Sequence, residues 1–586
     1  MAPTKKLSWQ VEQLYTSTKD PAIERDQKKS DLAVSAFARK YRKNKKHLKS
    51  APALAKALLE YEKLLLLPSV RASYYVFFRK DLNIEDKEAE ALGAKLEERS
   101  TKRGNQILFF TLEIGKIPKV TQKKFLASPV LKPYRYWLGQ LFENAKYDLS
   151  EAEEKILSLK SDVSHGRWIQ ATDNILNKKM VEFEGETLPL PKAQAMIQIL
   201  PTERRRALHA KINEVYADVA DIAESELNAI YTDKKIEDDL RGMKTPYEAT
   251  IRGYQNDVPS VLALVEAVSK SAKISNRFYA LKAKLLKQKK LTYADRAASV
   301  GELKTVFTFD KACEVTREVF GELNPLYAEI FDRLLNNGQV DVYPKKGKTG
   351  GAYCASTVSV PTHVLLNHID NFESTKTLAH EMGHAIHAER SRTQRPFYQG
   401  HPISTAETAS TFFEYAVMKR VIDSLPKEDR IIALHNAIQD DIATVFRQIA
   451  CFTFERSLHE EIRKEGYVPK ERIAELMNAS MAHYLGPVFE LTPKDGNFFV
   501  TWSHIRRFFY VYSYAYGQLI SKAMHRKLEK DPAYIEKVDE FLASGESRSP
   551  YDIFKSCGLD TKKPAIFLEG LKSIEKDVKE LEKLIG

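Results

Sequence analysis

Apolar residues recur every three or four positions over most of the chain, which is the pattern of amphipathic helices packed on a core. Residues 54–67 and 86–112 show it clearly, and Pro68 should end the first of these helices. The same spacing returns at residues 202–219 and 260–287. The pattern predicts a predominantly α-helical protein.

Residues 181–188 alternate about a central glycine and predict a small hairpin. Three prolines follow it, at positions 189, 191 and 201. We place a domain boundary near these prolines, which divides the chain into an N-terminal helical domain, residues 1–200, and a second domain, residues 201–586.

A small β-sheet is predicted in the second domain. Residues 340–343 and 356–366 are rich in β-branched side chains and follow a strong turn. Between them lie Gly347, Gly350 and Gly351. They fit an ordinary hairpin loop and, equally, a place where another backbone, such as that of a peptide, approaches the sheet edge.

The composition is that of a globular protein outside the membrane. Of the 586 residues, 43% are hydrophobic and 29% are charged. Residues 1–10 contain charges and no apolar signal-peptide core, and the leucine run at 64–67 is too short to span a bilayer. The four cysteines are scattered, which favours reduced thiols. We therefore expect a cytoplasmic protein with no membrane partner.

The net charge of +12 raises the question of an acidic partner. Basic residues cluster at 39–49, 204–206 and 282–290, and the last cluster is interleaved with leucines at helical spacing. None belongs to a recognisable nucleic-acid-binding module. We interpret the clusters as solvated helix faces and expect no nucleic-acid partner.

The strongest functional signal is a His-Glu-x-x-His pattern formed by His380, Glu381 and His384. At about 100° per residue, His380, His384 and His387 lie within about 60° of one another on a helix. An apolar stripe lies opposite, made of Leu378, Met382, Ala385 and Ile386. Asp370 and Glu373 resemble a capping box at the start of this helix. The pattern indicates a zinc site with Glu381 as candidate general base.

A catalytic zinc usually has three protein ligands, so a third must come from elsewhere. The metzincin spacing fails, because His387 and Arg390 occupy the positions that require glycine and histidine. Three ligands on one straight helix also converge poorly on a tetrahedral ion. We expect His387 to support a ligand or to pack, rather than to bind the metal.

Glu407 and Glu414, on the next predicted helix, are seven residues apart and share a face. Glu407 could be a metal ligand or the capping-box partner of Ser404. Glu414 could orient a histidine or be solvated.

Tyr510 and Tyr514 lie one helical turn apart and could either donate hydrogen bonds to an oxyanion or pack in an aromatic core. Spacing alone leaves each pair of alternatives open.

Three motifs in order resemble the thimet oligopeptidase and oligoendopeptidase F family of zinc metallopeptidases, closest to the oligoendopeptidase F branch. They are residues 351–354 (Gly-Ala-Tyr-Cys), 377–387 and 406–414. The likeness extends to residues 7–15 and 510–517. It implies an elongated, multi-helix, two-lobed fold with a deep channel and a small sheet beside the zinc helix.

The resemblance also implies roles for particular residues. One zinc ion would be bound by His380, His384 and Glu407, with Glu381 as general base and Glu414 supporting a ligand. Tyr510 and Tyr514 would line the site, whereas Tyr512 and Tyr516 are expected to pack. His504 is a candidate for transition-state stabilisation.

The predicted function is zinc-dependent hydrolysis of internal bonds in short oligopeptides. One alternative is a metallo-carboxypeptidase or dipeptidase, in which Arg506 or Arg507 would capture the substrate carboxylate. Another is a non-catalytic homologue that binds peptides or nucleic acid, which the intact metal motif argues against.

Overall fold

The protein is described from a computed structural model that covers residues 6–586, so half of the segment 1–10 considered above lies outside the description. Helices dominate. Those before residue 200 are α1 (Pro21–Lys43), α2 (Ala51–Leu65), α3 (Ser69–Leu82), α4 (Lys87–Gly115), α5 (Lys119–Ala127), α6 (Arg135–Asn144), α7 (Glu151–Ser161), α8 (Arg167–Lys178) and α9 (Leu190–Met196).

The later helices are α10 (Thr202–Arg241), α11 (Glu248–Gly253), α12 (Val258–Lys270), α13 (Ala272–Leu285), α14 (Phe309–Leu323), α15 (Pro325–Asn336), α16 (Phe372–Ser391), α17 (Ile403–Asp423), α18 (Lys427–Ile442), α19 (Gln448–Glu465), α20 (Lys470–Leu485), α21 (Tyr512–Lys530), α22 (Ile535–Leu542), α23 (Pro550–Ser556) and α24 (Pro564–Ile585). No helix within residues 6–586 has the length and apolar character needed to span a membrane.

The fold is two-lobed, as expected. We call α1–α6 the N-terminal lobe; its helices pack around two small apolar cores, one of which also includes Val360 and Leu365 of the sheet. A single large core extends from Leu176 to Leu581. The domain boundary near residue 200 stays a prediction.

Two small sheets interrupt the helices. The predicted hairpin is present as β1 (Met180–Phe183) paired with β2 (Glu186–Pro189). The second sheet contains β3 (Val340–Asp341), β4 (Tyr353–Thr357) and β5 (Val360–Leu365) in the order β3-β5-β4. β4 is therefore an edge strand, and α16 packs directly against it and β5.

Helix α16 begins one residue later than the predicted capping box. Asn371 is the N-cap, and its side chain accepts a hydrogen bond from the Ser374 amide. Asp370 has a left-handed backbone (φ 54°), and its carboxylate instead accepts from the Phe309 amide at 3.0 Å. The Asp370–Glu373 capping box is therefore wrong.

The prediction that the basic clusters are solvated is wrong for one member of each of two clusters: Arg205 and Lys282 are buried, whereas Arg204 and the other four lysines of 282–290 are exposed. Arg205 and Arg206 each lie 2.7 Å from a different oxygen of the fully buried Asp295 carboxylate. Lys282 is also buried and donates to the Arg296 carbonyl at 3.0 Å. Buried charges persist when they are paired or hydrogen-bonded, so part of the positive charge serves internal structure.

Candidate active site

Three helices cross closely where the motifs meet. A Cβ atom built at Gly383 on α16 would lie 2.8 Å from the Ser410 Cα on α17. A Cβ at Gly517 on α21 would lie 2.9 Å from the Glu407 Cβ, also on α17. Glycine, which lacks a side chain, permits both crossings. Neither glycine was singled out from the sequence, although a glycine inside a helix is a recognised sign of close packing.

These crossings bring His380, His384 and Glu407 together. The Nε2 atoms of His380 and His384 lie 3.6 Å and 4.0 Å from Oε2 of Glu407. One donor atom from each residue falls within 4.8 Å of the others. Helix α17 begins at Ile403, with Pro402 as its N-cap, so Ser404 is not a cap and Glu407 has no capping role.

Glu414 holds the ring of His380 from the opposite side. Its Oε2 lies 2.7 Å from His380 Nδ1. Burial disfavours its charged form, but the hydrogen bond from His380 and the Lys376 ammonium lower the pKa of Glu414. The carboxylate is therefore the acceptor and Nδ1–H the donor, which leaves His380 Nε2 free to point toward Glu407.

The electrostatics of this cluster favour a cation. Burial opposes the charged imidazole of His380, but three neighbouring glutamates raise its pKa to about 9. Burial raises the pKa of Glu407, and burial with the nearby His380 lowers the pKa of His384 well below its usual value. Three carboxylates thus converge on two imidazoles in a nearly buried site. This donor set of two nitrogens and one carboxylate fits a catalytic zinc site.

Glu381 faces the same cluster from α16. Its side chain is 7% exposed, and burial, reinforced by Glu407 and Glu414, raises its pKa to about 7 although His380 opposes the shift. The backbone amide of Cys354, on edge strand β4, also donates toward it. A carboxyl group with such a pKa can exchange a proton at neutral pH.

A cavity of about 720 Å³ opens onto these groups. His380, Glu381 and Glu407 line it together with Tyr514, and it continues along α17. A reactant in the cavity would therefore meet the candidate metal ligands and Glu381 at once.

His504 and Tyr510 adjoin Tyr514, which lines the cavity. A hydrogen bond joins His504 Nδ1 to the Tyr510 hydroxyl, and the rings of Tyr510 and Tyr514 lie 5.7 Å apart. Burial, with Arg447 and Arg507 nearby, lowers the pKa of His504. His504 is therefore neutral at pH 7 and supports Tyr510. The Tyr510 ring in turn packs beside Tyr514 at the cavity wall.

The loop before these tyrosines has a strained backbone that the sequence did not indicate. Phe508 and Phe509 have φ angles of 47° and 63°, which bulky residues rarely adopt. The carboxyl group of the fully buried Glu455 accepts the Phe509 amide at 2.8 Å, and the Thr250 hydroxyl donates to the Phe508 carbonyl at 2.9 Å. Such strain persists only where its surroundings enforce it, so Glu455 and Thr250 hold the loop in place.

Arg506, one of the two candidates for capturing a substrate carboxylate, has all its donors occupied by protein groups. It is buried, and its Nε and Nη2 atoms lie 2.7 and 2.9 Å from the two oxygens of Glu226. Its remaining donors reach backbone carbonyls at 3.1–3.2 Å. Arg507 remains exposed.

The other aromatic and histidine residues of these motifs pack in the core. His387 is 1% exposed and stacks on His401, with ring centroids 4.2 Å apart. Tyr512 and Tyr516 are fully buried. The structure thus gives His387 a packing environment outside the cluster of candidate ligands.

Comparison with known proteins identifies the family. The sequence model of peptidase family M3 matches residues 197–573, and that of oligopeptidase F matches residues 113–177. The chain belongs to peptidase family M3. Oligopeptidase PepF of Bacillus subtilis is 25% identical over 547 residues, which cover 90% of this chain and 80% of the relative. An oligoendopeptidase F homologue of Lactococcus lactis is 24% identical over 99% of this chain and 98% of its own length.

Solved structures share the fold of this M3 peptidase. A chain from Chlamydophila abortus has a TM-score of 0.89 at 21% identity and covers 99% of this chain and 98% of its own. Oligoendopeptidase F from Enterococcus faecium has a TM-score of 0.68 at 21% identity, over 96% and 99%. The predicted family and fold are confirmed, and the protein is a metalloendopeptidase that acts on peptides.

Proposed function

We propose that this M3 peptidase is a zinc-dependent oligoendopeptidase in which His380, His384 and Glu407 bind one zinc ion. The observation that carries the proposal is the convergence of these three side chains beside the buried Glu381. Glu414 orients His380 through the Nδ1 hydrogen bond and keeps Nε2 available as a ligand.

A zinc ion in such a site supplies a water of pKa about 7 and polarises a carbonyl group. Glu381 accepts the proton released as water adds to the scissile carbonyl and delivers it to the leaving amine. Burial raises the pKa of Glu381 in the metal-free site, and a bound zinc ion would favour the charged carboxylate that accepts the proton.

Tyr514 and Tyr510 are the proposed donors to the carbonyl oxygen as it gains negative charge. Tyr514 lines the cavity directly. For Tyr510 to donate, His504 must carry its proton on Nδ1 and donate to the Tyr510 oxygen, which frees the phenol proton for substrate. His504 therefore selects the direction in which the Tyr510 hydroxyl points.

The cleavage of internal bonds is favoured over carboxypeptidase activity. Capture of a C-terminal carboxylate needs an available cation. Arg506 is fully used by Glu226 and backbone carbonyls, which leaves Arg507 as the one candidate of the two. The strand β4 beside Glu381 is at the edge of its sheet, where an extended substrate could pair with it and continue past both sides of the scissile bond.

Glu381→Gln tests the central role. The variant should retain about one zinc per chain but lose about 10²–10⁴-fold in kcat, since the base is removed and the ligands are not. Glu373→Gln makes the same chemical change on the exposed side of α16 and should leave kcat unchanged. A metal-loaded Glu381→Gln enzyme with parental kcat would overturn the assignment.

A second experiment separates endopeptidase from exopeptidase activity. A quenched peptide blocked at both ends should be cut as fast as its free counterpart, with the cut mapped by mass spectrometry. Cleavage of the free peptide alone would favour the exopeptidase alternative and implicate Arg507.

A further inference from the structure

A second cavity lies where the N-terminal lobe meets the rest of the chain. Its volume is about 530 Å³. Helix α6 forms one wall, and the short turn Pro396–Tyr398 between α16 and α17 forms another. It has no lining residue in common with the cavity at the candidate metal site. It is therefore a separate volume, bordered by both lobes.

Aromatic rings from the two lobes face each other across its walls. The ring centroids of Trp137 and Phe397 lie 5.1 Å apart, and those of Tyr136 and Tyr398 lie 6.4 Å apart. Trp137 and Tyr136 are only half-buried, so their rings are accessible from the cavity. Faces of Trp and Tyr attract cations within about 6 Å of the ring centre.

Glu546 adds a negative charge to this aromatic wall. Its amide donates to the Tyr398 carbonyl at 2.9 Å, and its carboxylate lies against Gly400, where an added Cβ would be 3.2 Å from the Glu546 Cδ. Burial raises the pKa of Glu546, and the hydrogen bond from the Gln255 side chain, which favours the charged carboxylate, opposes this shift only in part. Within residues 6–586 no ion pair involves Glu546, so its charge is not neutralised by a basic side chain of the described chain.

The basic side chains that line the cavity are already paired. Arg241 bonds both oxygens of Glu154 at 2.7 and 2.9 Å. Arg252 bonds Glu248 at 3.1 Å, and its guanidinium lies over the Tyr147 ring. Since both guanidinium groups have carboxylate partners, the uncompensated charge of Glu546 makes the cavity attractive to a cation rather than to an anion.

Gln255 lies in the wall of this cavity. It has a left-handed backbone, with φ of 56°, and its side-chain oxygen accepts from the Tyr136 hydroxyl at 2.9 Å, which joins the two lobes. The preceding residue, Tyr254, lies close enough to Tyr514 that the second phenol adds to the raised pKa produced mainly by burial. Helix α11 contributes Ala249 and Gly253 to the cavity wall, and its Thr250 hydroxyl donates to the Phe508 carbonyl at 2.9 Å. One helix therefore separates the cavity from the loop that precedes Tyr510.

We propose that this cavity is a binding site for a cationic group of the peptide substrate, held by the Glu546 carboxylate and the Trp137 and Tyr136 rings. The inference rests on the proposed peptidase function, and it assigns a charge preference to that function. The group is a primary ammonium or a guanidinium, supplied by the peptide N-terminus or by a lysine or arginine side chain.

The test compares KM for matched quenched peptides on Glu546→Gln and on the parent enzyme. One peptide has a free N-terminus and a lysine, a second is N-acetylated, a third has norleucine for lysine, and a fourth has both changes. Glu546→Gln should raise KM about tenfold for peptides that carry the recognised cation, with kcat unchanged, and should not affect the doubly neutral peptide. The singly neutralised peptide whose KM no longer responds to Glu546→Gln identifies the source of the cation.

Glu536→Gln is the control, since it removes an exposed carboxylate from α22. Equal effects of Glu546→Gln on KM for all four peptides, or no effect on any, would overturn the inference. In that case cleavage by the parent enzyme would still support the proposed peptidase function. Absence of cleavage by the zinc-loaded parent would instead refute the proposed function. If Glu546→Gln does not fold, Trp137→Leu is tested with the same peptides and the same criteria.

Discussion

Replacing Gly517 by alanine should weaken metal binding, because the added methyl group meets the chain at Glu407. The new Cβ would lie 2.9 Å from the Glu407 Cβ and 3.1 Å from both the Glu407 carbonyl carbon and the Thr408 nitrogen. Two of these three atoms are backbone, so no side-chain rotation relieves the contact. Helix α17 or α21 must move.

The size of the movement sets the expected effect. Carbon atoms in contact prefer about 3.5–4.0 Å, so the helices must separate by about 0.5–1 Å near Glu407. Metal–ligand distances tolerate only about 0.2 Å. We expect zinc affinity to fall by about 10–100-fold, as when a ligand loses its support, and the overpacked crossing to cost about 1–3 kcal/mol of stability.

Zinc dissociation constants, measured by competition with a chelator, check this prediction, and kcat at saturating zinc shows whether the remaining defect is catalytic. Gly321→Ala is the matched control on α14, which also packs against α17. Its added Cβ would meet only the Ala328 Cβ, at an ordinary 3.6 Å. If Gly517→Ala bound zinc as tightly as Gly321→Ala, the crossing would not position Glu407 and the reasoning would fail.

Three further predictions concern the groups around the ligands. Glu414→Ala removes the acceptor that orients His380 and should lower zinc affinity about 10–100-fold, measured by the same competition. Tyr510→Phe should lower kcat about 10²–10³-fold at parental zinc content if it donates to the oxyanion, whereas Tyr512→Phe, on a buried ring, should leave kcat nearly unchanged. Glu455 has its pKa raised from 4.5 to about 8 by burial, so the folded state retains a proton that the unfolded chain releases, and stability should fall by up to about 1.4 kcal/mol per pH unit between these values. Glu455→Gln lacks this titration, so denaturant unfolding at pH 5 and pH 8 should show its stability rising relative to the parent; an identical pH dependence would contradict the burial argument.

The metal motif could be predicted from the sequence because its geometry is local. Side chains three or four residues apart share a helix face, which placed His380 and His384 together and gave Glu407 and Glu414 a common face. The choice of Glu407 as the third proposed ligand needed the family resemblance. The convergence itself depends on the crossings at Gly383 and Gly517, which no local pattern encodes.

The contacts that support residues 506–509, the loop before Tyr510 that we call the tyrosine loop, could not be predicted from the sequence for a different reason. Glu455 and Phe509 are 54 residues apart, and Arg506 and Glu226 are 280 apart, so their contacts arise only from tertiary packing. The left-handed Phe508 contradicts the preference of aromatic residues for extended or helical backbone. The wrong capping box at Asp370 has a simpler origin, since two adjacent residues that both favour N-caps cannot be ranked by propensity alone.

The candidate ligands and the tyrosine loop are thus held by different physical means, so a change at one should have a different effect on zinc binding and kcat from a change at the other. Helix crossings fix Glu407, so steric change there should remove metal before it alters the chemistry of metal-loaded molecules. Glu455, which accepts the Phe509 amide, and Thr250, which donates to the Phe508 carbonyl, enforce the strained backbone before Tyr510. Loss of either should relax the loop without disturbing the candidate ligands. Among changes confined to the loop or to the crossings, one that lowers kcat at full zinc occupancy therefore acts through the loop. One whose lost kcat returns when zinc is added acts through the crossings.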